Sequence, residues 1–131
     1  MIAWCVRFAI EAMFPPIDGL PGVADAGSAE FVPKLLSEAS WLFWVGVVAS
    51  SIAFILLPVL TIYWPVPAVF LSADRLDDHA DRWATHPLYL IRQSGFLIKL
   101  AAGLCWGLDP AVRQHFAMAP FPPDPGTWRT S

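Results

Sequence analysis

The sequence predicts an all-α chain built around one strongly hydrophobic helix, and three observations lead there. From Ala39 to Ala73 there is no charged residue. Aromatic pairs bracket most of that run, with Trp41 and Trp44 at one end and Tyr63 and Trp64 at the other. Prolines and glycines punctuate the rest at intervals that leave room for short helices and few strands. A helix from Trp41 to Trp64 would measure about 34 Å at ~1.5 Å per residue, close to the ~30 Å hydrocarbon layer of a bilayer. Tyrosine and tryptophan favour the headgroup level, where an apolar ring and a polar N–H or O–H are both satisfied. Trp41, Trp44, Pro58, Tyr63 and Trp64 are therefore the expected membrane-anchoring positions. No His, Asp, Glu, Lys or Arg lies within the run, so the helix can anchor but cannot ligate a haem or relay a proton.

The remaining elements follow in chain order. Residues 1–14 form a helix stopped by Pro15 and Pro16, which lack N–H donors and restrict the residue before them. The segment 1–14 is a poor secretory signal, because Arg7 and Glu11 interrupt its apolar residues. Residues 17–27 are turn chemistry. Ser28 is the expected cap of the second helix, with Glu30 in its first turn. That helix is expected to continue to about Trp64, with its membrane portion over about 35–64. Pro58 cannot donate to the carbonyl of Phe54, so a kink is expected there. Gly46, Ala49, Ser50 and Ala53 are spaced to let a second helix approach closely.

Residues 72–85 read as a capped acidic helix with Leu76, Ala80 and Trp83 on its apolar face. His86-Pro87 breaks it. A fourth helix runs from Leu88 to about Gly107, with Arg92 and Lys99 seven residues apart on one face. Asp109-Pro110 opens a short last helix. The single helical domain thus covers residues 1–118, and residues 119–131 form a Pro-rich extended tail that includes Trp128.

Composition narrows the function. Hydrophobic residues make up 56% of the 131, charged residues only 15%, and the net charge is −3. With 8 Lys+Arg and no basic run, nucleic acid is not an expected partner. So apolar a chain is not expected to be stable alone. Cys5 and Cys105 stand in no CxxC arrangement, so each reads as a small apolar residue. Asp74, Asp77, Asp78, His79 and Asp81 resemble a metal cluster. No matching His/Glu set exists elsewhere, however, and Asp78–Arg82 is an ordinary i,i+4 pair. They are expected to form a solvated helix face. His79, His86 and His115 all lie outside the apolar stretch, which disfavours haem. Gly103 and Gly107 form a GxxxG, a weak helix-contact pattern. No nucleophile–base pair, phosphate loop or HExxH is present, so neither catalytic residues nor a cofactor or metal are expected in this chain.

Three stretches together resemble a known helical family. They are Glu11-Ala-Met-Phe-Pro-Pro-Ile-Asp-Gly-Leu-Pro21, Leu71-Ser-Ala-Asp-Arg-Leu-Asp-Asp-His-Ala-Asp-Arg-Trp83, and Leu88-Tyr-Leu-Ile-Arg92 with Lys99 and Leu108-Asp-Pro-Ala-Val-Arg113. In order and spacing they are similar to the accessory small subunit, or N-terminal extension, of GMC-type flavoprotein dehydrogenases and long-chain alcohol oxidases. The chain departs from that family in having Trp106-Gly107 before Asp-Pro and Ala117-Met118 after the short helix. The resemblance implies a non-catalytic subunit that holds a large FAD-bearing partner at the membrane, with electrons passing on to a quinone or a cytochrome. It makes Arg92, Lys99, Gly103, Gly107 and Trp128 the expected partner contacts. A bacterial inner membrane is the expected location. The excess of Arg75, Arg82 and Arg92 over Arg7 and Lys34 puts the C-terminal side in the cytoplasm. The alternative is a structural helix-bearing subunit of another respiratory or photosynthetic membrane complex.

Overall fold

A computed structural model describes residues 1–120, 122 and 123. Six α-helices follow one another: α1 Ile2–Met13, α2 Ser28–Glu38, α3 Trp41–Leu56, α4 Ala73–Ala84, α5 Tyr89–Leu108 and α6 Pro110–His115. Three single 3-10 turns, Val23–Asp25, Pro58–Leu60 and Ala68–Phe70, join them. No strand occurs among the described residues, and the all-α expectation holds.

Helix α1 is the centre of the bundle. Val6, Ala9, Ile10 and Met13 recur at i, i+3, i+4 and i+7 and are all buried, which makes one continuous apolar stripe. α3 and α5 lie against that stripe and against each other, and α4 packs on α5. Val47 and Phe54 of α3, Trp83 of α4, and Ile98, Ala101 and Ala102 of α5 complete the core. At about 1.5–3 kcal/mol for each large buried side chain, this core dominates the fold. Small residues set the closest approaches. A Cβ on Gly95 would stand 3.1 Å from Trp83 Cδ1 and 3.2 Å from Ala84 Cα, so any larger residue would push α4 and α5 apart by a few tenths of an ångström. Gly46 serves the α3–α5 contact in the same way, with Leu97 against it.

The long second helix is replaced by two helices and an elbow. Ala39 and Ser40 are extended, with ψ of 145° and 150°, and the Ser40 hydroxyl accepts from Phe43 N at 3.5 Å to start α3 afresh. α3 then ends at Leu56. Pro58 does not kink a continuing helix; it ends one, because Leu57 leaves the α region at ψ 41°, as a residue before proline tends to do. The chain up to Ala73 turns without a further α-helix. α3 has 16 residues, about 24 Å at ~1.5 Å per residue. No single helix among the described residues is long and apolar enough to cross a membrane; by length and composition α4 and α5 pass only together, as a pair bent by 115°.

Two caps also differ from expectation. Gly27, at φ +78°, occupies the N-cap of α2. Ser28 stands one position inside and donates its hydroxyl to Glu11 Oε1 at 2.5 Å. Ser72 sits at the N-cap of α4 without a side-chain capping bond. Asp109 caps α6 as expected, accepting from Ala111 N at 3.4 Å.

Candidate functional site

Three places on this frame bear on function: a buried histidine, an exposed apolar elbow and an apolar groove. The histidine was the least expected. His79 is fully buried, not part of a solvated face, although Asp74, Asp77, Asp78 and Asp81 beside it are exposed. Its place follows from Pro58. Proline has no N–H, so the Phe54 carbonyl lacks its donor from the next turn. His79 Nε2 supplies one at 2.8 Å. A carbonyl only accepts, so in the neutral ring Nε2 carries the proton and Nδ1 accepts from the Thr61 hydroxyl at 2.5 Å. The ring stacks on Phe54 at 4.4 Å and meets Trp83 edge-on at 5.5 Å. Burial pushes the His79 pKa down, against the opposing pull of the Phe54 carbonyl and Asp78. Both nitrogens are engaged and the ring is closed off, so His79 pins the end of α3 and the elbow to α4.

The elbow, residues 57–72, carries several of the most exposed large apolar groups. Tyr63 is 81% and Phe70 76% exposed. Leu56, Leu57, Val59, Leu60 and Trp64 are exposed beside them. Tyr63 also holds φ at +55°, a conformation that costs a bulky residue of order 1–3 kcal/mol. Two arginines from α4 grip the segment: Arg75 lies 3.9 Å over the Trp64 ring, and Arg82 reaches the Thr61 carbonyl at 3.4 Å while pairing with Asp78 at 2.8 Å. Of the other expected anchor residues, Trp41 is exposed at the far end of α3, whereas Trp44 is half-buried against the core and Pro58 is buried.

The groove has a volume of about 1140 Å³ and lies between α2, the start of α3 and the last turns of α5. Phe31, Leu35, Phe43, Leu104 and Leu108 line it, together with Gly103 and Gly107, the charged Lys34 and Glu38, and Pro122 and Pro123 from beyond α6. Neither glycine touches a helix: a Cβ on either would meet nothing within 4 Å. The GxxxG of α5 thus faces open space, where the sequence left it as a generic helix contact. Arg92 and Lys99 are both exposed on α5. The Arg92 guanidinium donates to the His86 carbonyl at 3.1 Å and to the Pro87 carbonyl at 3.5 Å, which fixes the start of α5. Trp128 lies outside the described residues.

No group of three or more His, Cys, Asp or Glu able to hold a metal occurs among the described residues. Cys105 is buried near the Ala26 carbonyl, and burial raises its thiol pKa to about 11; Cys5 is half-buried on α1. No family model, curated protein or solved structure matches the chain.

Proposed function

We propose that the chain is a non-catalytic helical subunit that holds a large flavin-dependent dehydrogenase of the GMC type at a membrane. One observation carries the need for partners: α3, α5 and the elbow expose Trp41, Leu42, Leu56, Tyr63, Phe70, Leu90 and Phe96 to solvent in the isolated chain. Apolar surface on this scale marks contact with protein or lipid. The dehydrogenase is suggested by the three stretches that resemble the GMC accessory family, spread from Glu11 to Arg113. In this reading the partner carries FAD and takes the hydride, and a quinone or cytochrome receives the electrons.

The groove is the place on this chain where a segment of the large subunit docks. Its floor of Gly103 and Gly107 lets a partner side chain approach the α5 backbone, and its aromatic and aliphatic walls suit a buried anchor. Lys34 and Glu38 are the charged residues of its lining; Arg92 and Lys99, exposed farther along α5, are separate charged contacts in this reading.

Affinity purification of the tagged chain from detergent-solubilised membranes, with a visible spectrum and mass spectrometry of what accompanies it, tests this. A flavin spectrum and a large flavoprotein partner are expected. A chain that travels colourless, or with haem or pigment proteins, contradicts it and favours a structural subunit of another complex.

A further inference from the structure

We infer that the elbow between α3 and α4 is a one-leaflet lipid anchor, dipping into the headgroup–acyl boundary of a zwitterionic membrane from one side and leaving by the same side. The inference rests on the membrane-holding part of the reading above and not on the identity of the partner.

Three features of the elbow lead to lipid. Its exposed side chains, Leu57, Val59, Leu60, Tyr63, Trp64 and Phe70, offer no charge and only the Tyr63 hydroxyl and the indole N–H of Trp64 as polar groups. A protein interface of ordinary kind needs about one hydrogen bond per 100–200 Å²; at the headgroup–acyl boundary apolar side chains need none, while water still reaches the backbone groups of the loop. Second, Tyr63 is held outward in a left-handed conformation, and amphipathic aromatic rings suit the headgroup boundary. Third, the charges at the base of the elbow complement that boundary. Arg75 lies over Trp64, and Arg82, paired with Asp78, reaches the Thr61 carbonyl, so Arg75 is the guanidinium beside the elbow that a lipid phosphate would meet.

The same geometry sets the topology and the lipid. α3 is too short to cross, and Val47, Val48, Phe54 and Ile55 bury one side of it in the bundle. The His79 bonds to the Phe54 carbonyl and Thr61 tie the end of α3 and the start of the elbow to α4, the helix that follows the elbow, so the chain returns where it entered. Asp74, Asp77 and Asp81, exposed on α4, offset the two arginines. Binding is therefore driven by apolar insertion, with no gain from anionic lipid.

The test uses the full chain in its native membrane. On a Cys5→Ser background, Ser37→Cys before α3 and Ala73→Cys after the elbow are exposed to a membrane-impermeant maleimide in sealed vesicles of one orientation. Both positions should label from the same side; labelling from opposite sides overturns the inference in favour of a span. In parallel, Leu60→Glu with Tyr63→Asp and Phe70→Glu should move at least tenfold more of the chain to the soluble fraction, with its co-purifying proteins unchanged. Retention in the membrane overturns the inference, and so does loss of the protein partner in place of the membrane. The labelling pair keeps the native elbow, so it decides the matter even where the triple variant misfolds. Purified chain should bind phosphatidylcholine vesicles, and the fraction bound should stay the same when anionic lipid is added or salt is raised; a severalfold rise with anionic lipid overturns the zwitterionic assignment. Spectrum and partner identity are read separately, so a failed anchor and a failed flavoprotein reading are distinguishable.

Discussion

The elbow and the groove are both apolar, and they differ in shape and in chemical detail. The elbow is convex: Tyr63 and Phe70 project with more than three quarters of their surface exposed, two arginines of α4 grip the segment, and nothing encloses the two rings. The groove is concave: Phe31, Leu35, Phe43 and Leu104 surround a space of about 1140 Å³ over two glycines. A projecting surface with few hydrogen-bonding groups suits a fluid that conforms to it. A recess with a defined floor suits a single solid occupant. Apolar surface therefore does not have one meaning even within 131 residues; whether the apolar groups face outward or around a hollow decides which kind of neighbour they fit.

The surest way to break this contrast is to remove what holds the elbow in place. His79→Ala leaves the Phe54 carbonyl without its donor and the Thr61 hydroxyl with only the Pro58 carbonyl, and opens a cavity beside Trp83. Denaturant unfolding in detergent should show a loss of about 2–4 kcal/mol, with membrane retention falling in step. A loss under ~0.5 kcal/mol would remove His79 from the structural role assigned to it.

Filling the groove sharpens the contrast from the other side. Gly103→Leu with Gly107→Leu should cut recovery of the protein partner at least tenfold while leaving the chain in the membrane, as read by pull-down and sedimentation together. Gly103→Ala is the control for the fold. Alanine is favoured over glycine in a helix by about 0.5–1 kcal/mol, and nothing lies within 4 Å of the new Cβ, so thermal stability should rise. A fall would mean that the space is filled in the folded chain.

The pH dependence is smaller and has a definite sign. Burial lowers the His79 pKa in the folded chain below its ordinary 6.5, so the unfolded chain binds more protons as pH falls. The stability from a neutral His79 is fully present above pH 6.5 and is lost progressively below it. Melting temperatures across that range should decline with acid in the parent chain and lose that component in His79→Gln. Reversing Arg92 and Lys99 to Glu should weaken partner recovery by less than filling the groove, because surface charges in water contribute modestly. Recovery at the parent level would remove both from the contact surface.

Much of the frame was legible because helical periodicity and punctuation agree. Val6, Ala9, Ile10 and Met13 announce α1 and its buried stripe, Pro15 and Pro16 stop it, and Asp109-Pro110 opens α6. The apolar run misled because hydropathy hides a break: Ser40 is an ordinary N-cap residue, and between Glu38 and Trp41 it outweighed the continuity of the pattern. Pro58 reads as an interruption that leaves the Phe54 carbonyl without its helical donor, but the donor that answers it sits in an acidic helix some twenty-five residues away. The unpaired carbonyl is the signal that points to His79: a buried acceptor requires a donor, and the imidazole of the next helix is one that can reach it. Gly103 and Gly107 were flagged by spacing alone, and spacing does not say whether a helix or open space lies opposite. The expected anchors divide for the same reason, since Tyr63 faces out while Pro58 and much of Trp44 face in.

The most direct measurement follows membrane retention and partner recovery side by side, in one preparation, for the elbow triple variant and the double-leucine groove variant. Two separable surfaces predict a crossed result: the elbow variant leaves the membrane with its partner attached, and the groove variant stays in the membrane without it. Loss of both properties in either variant would show one shared interface and would contradict the division of labour assigned here.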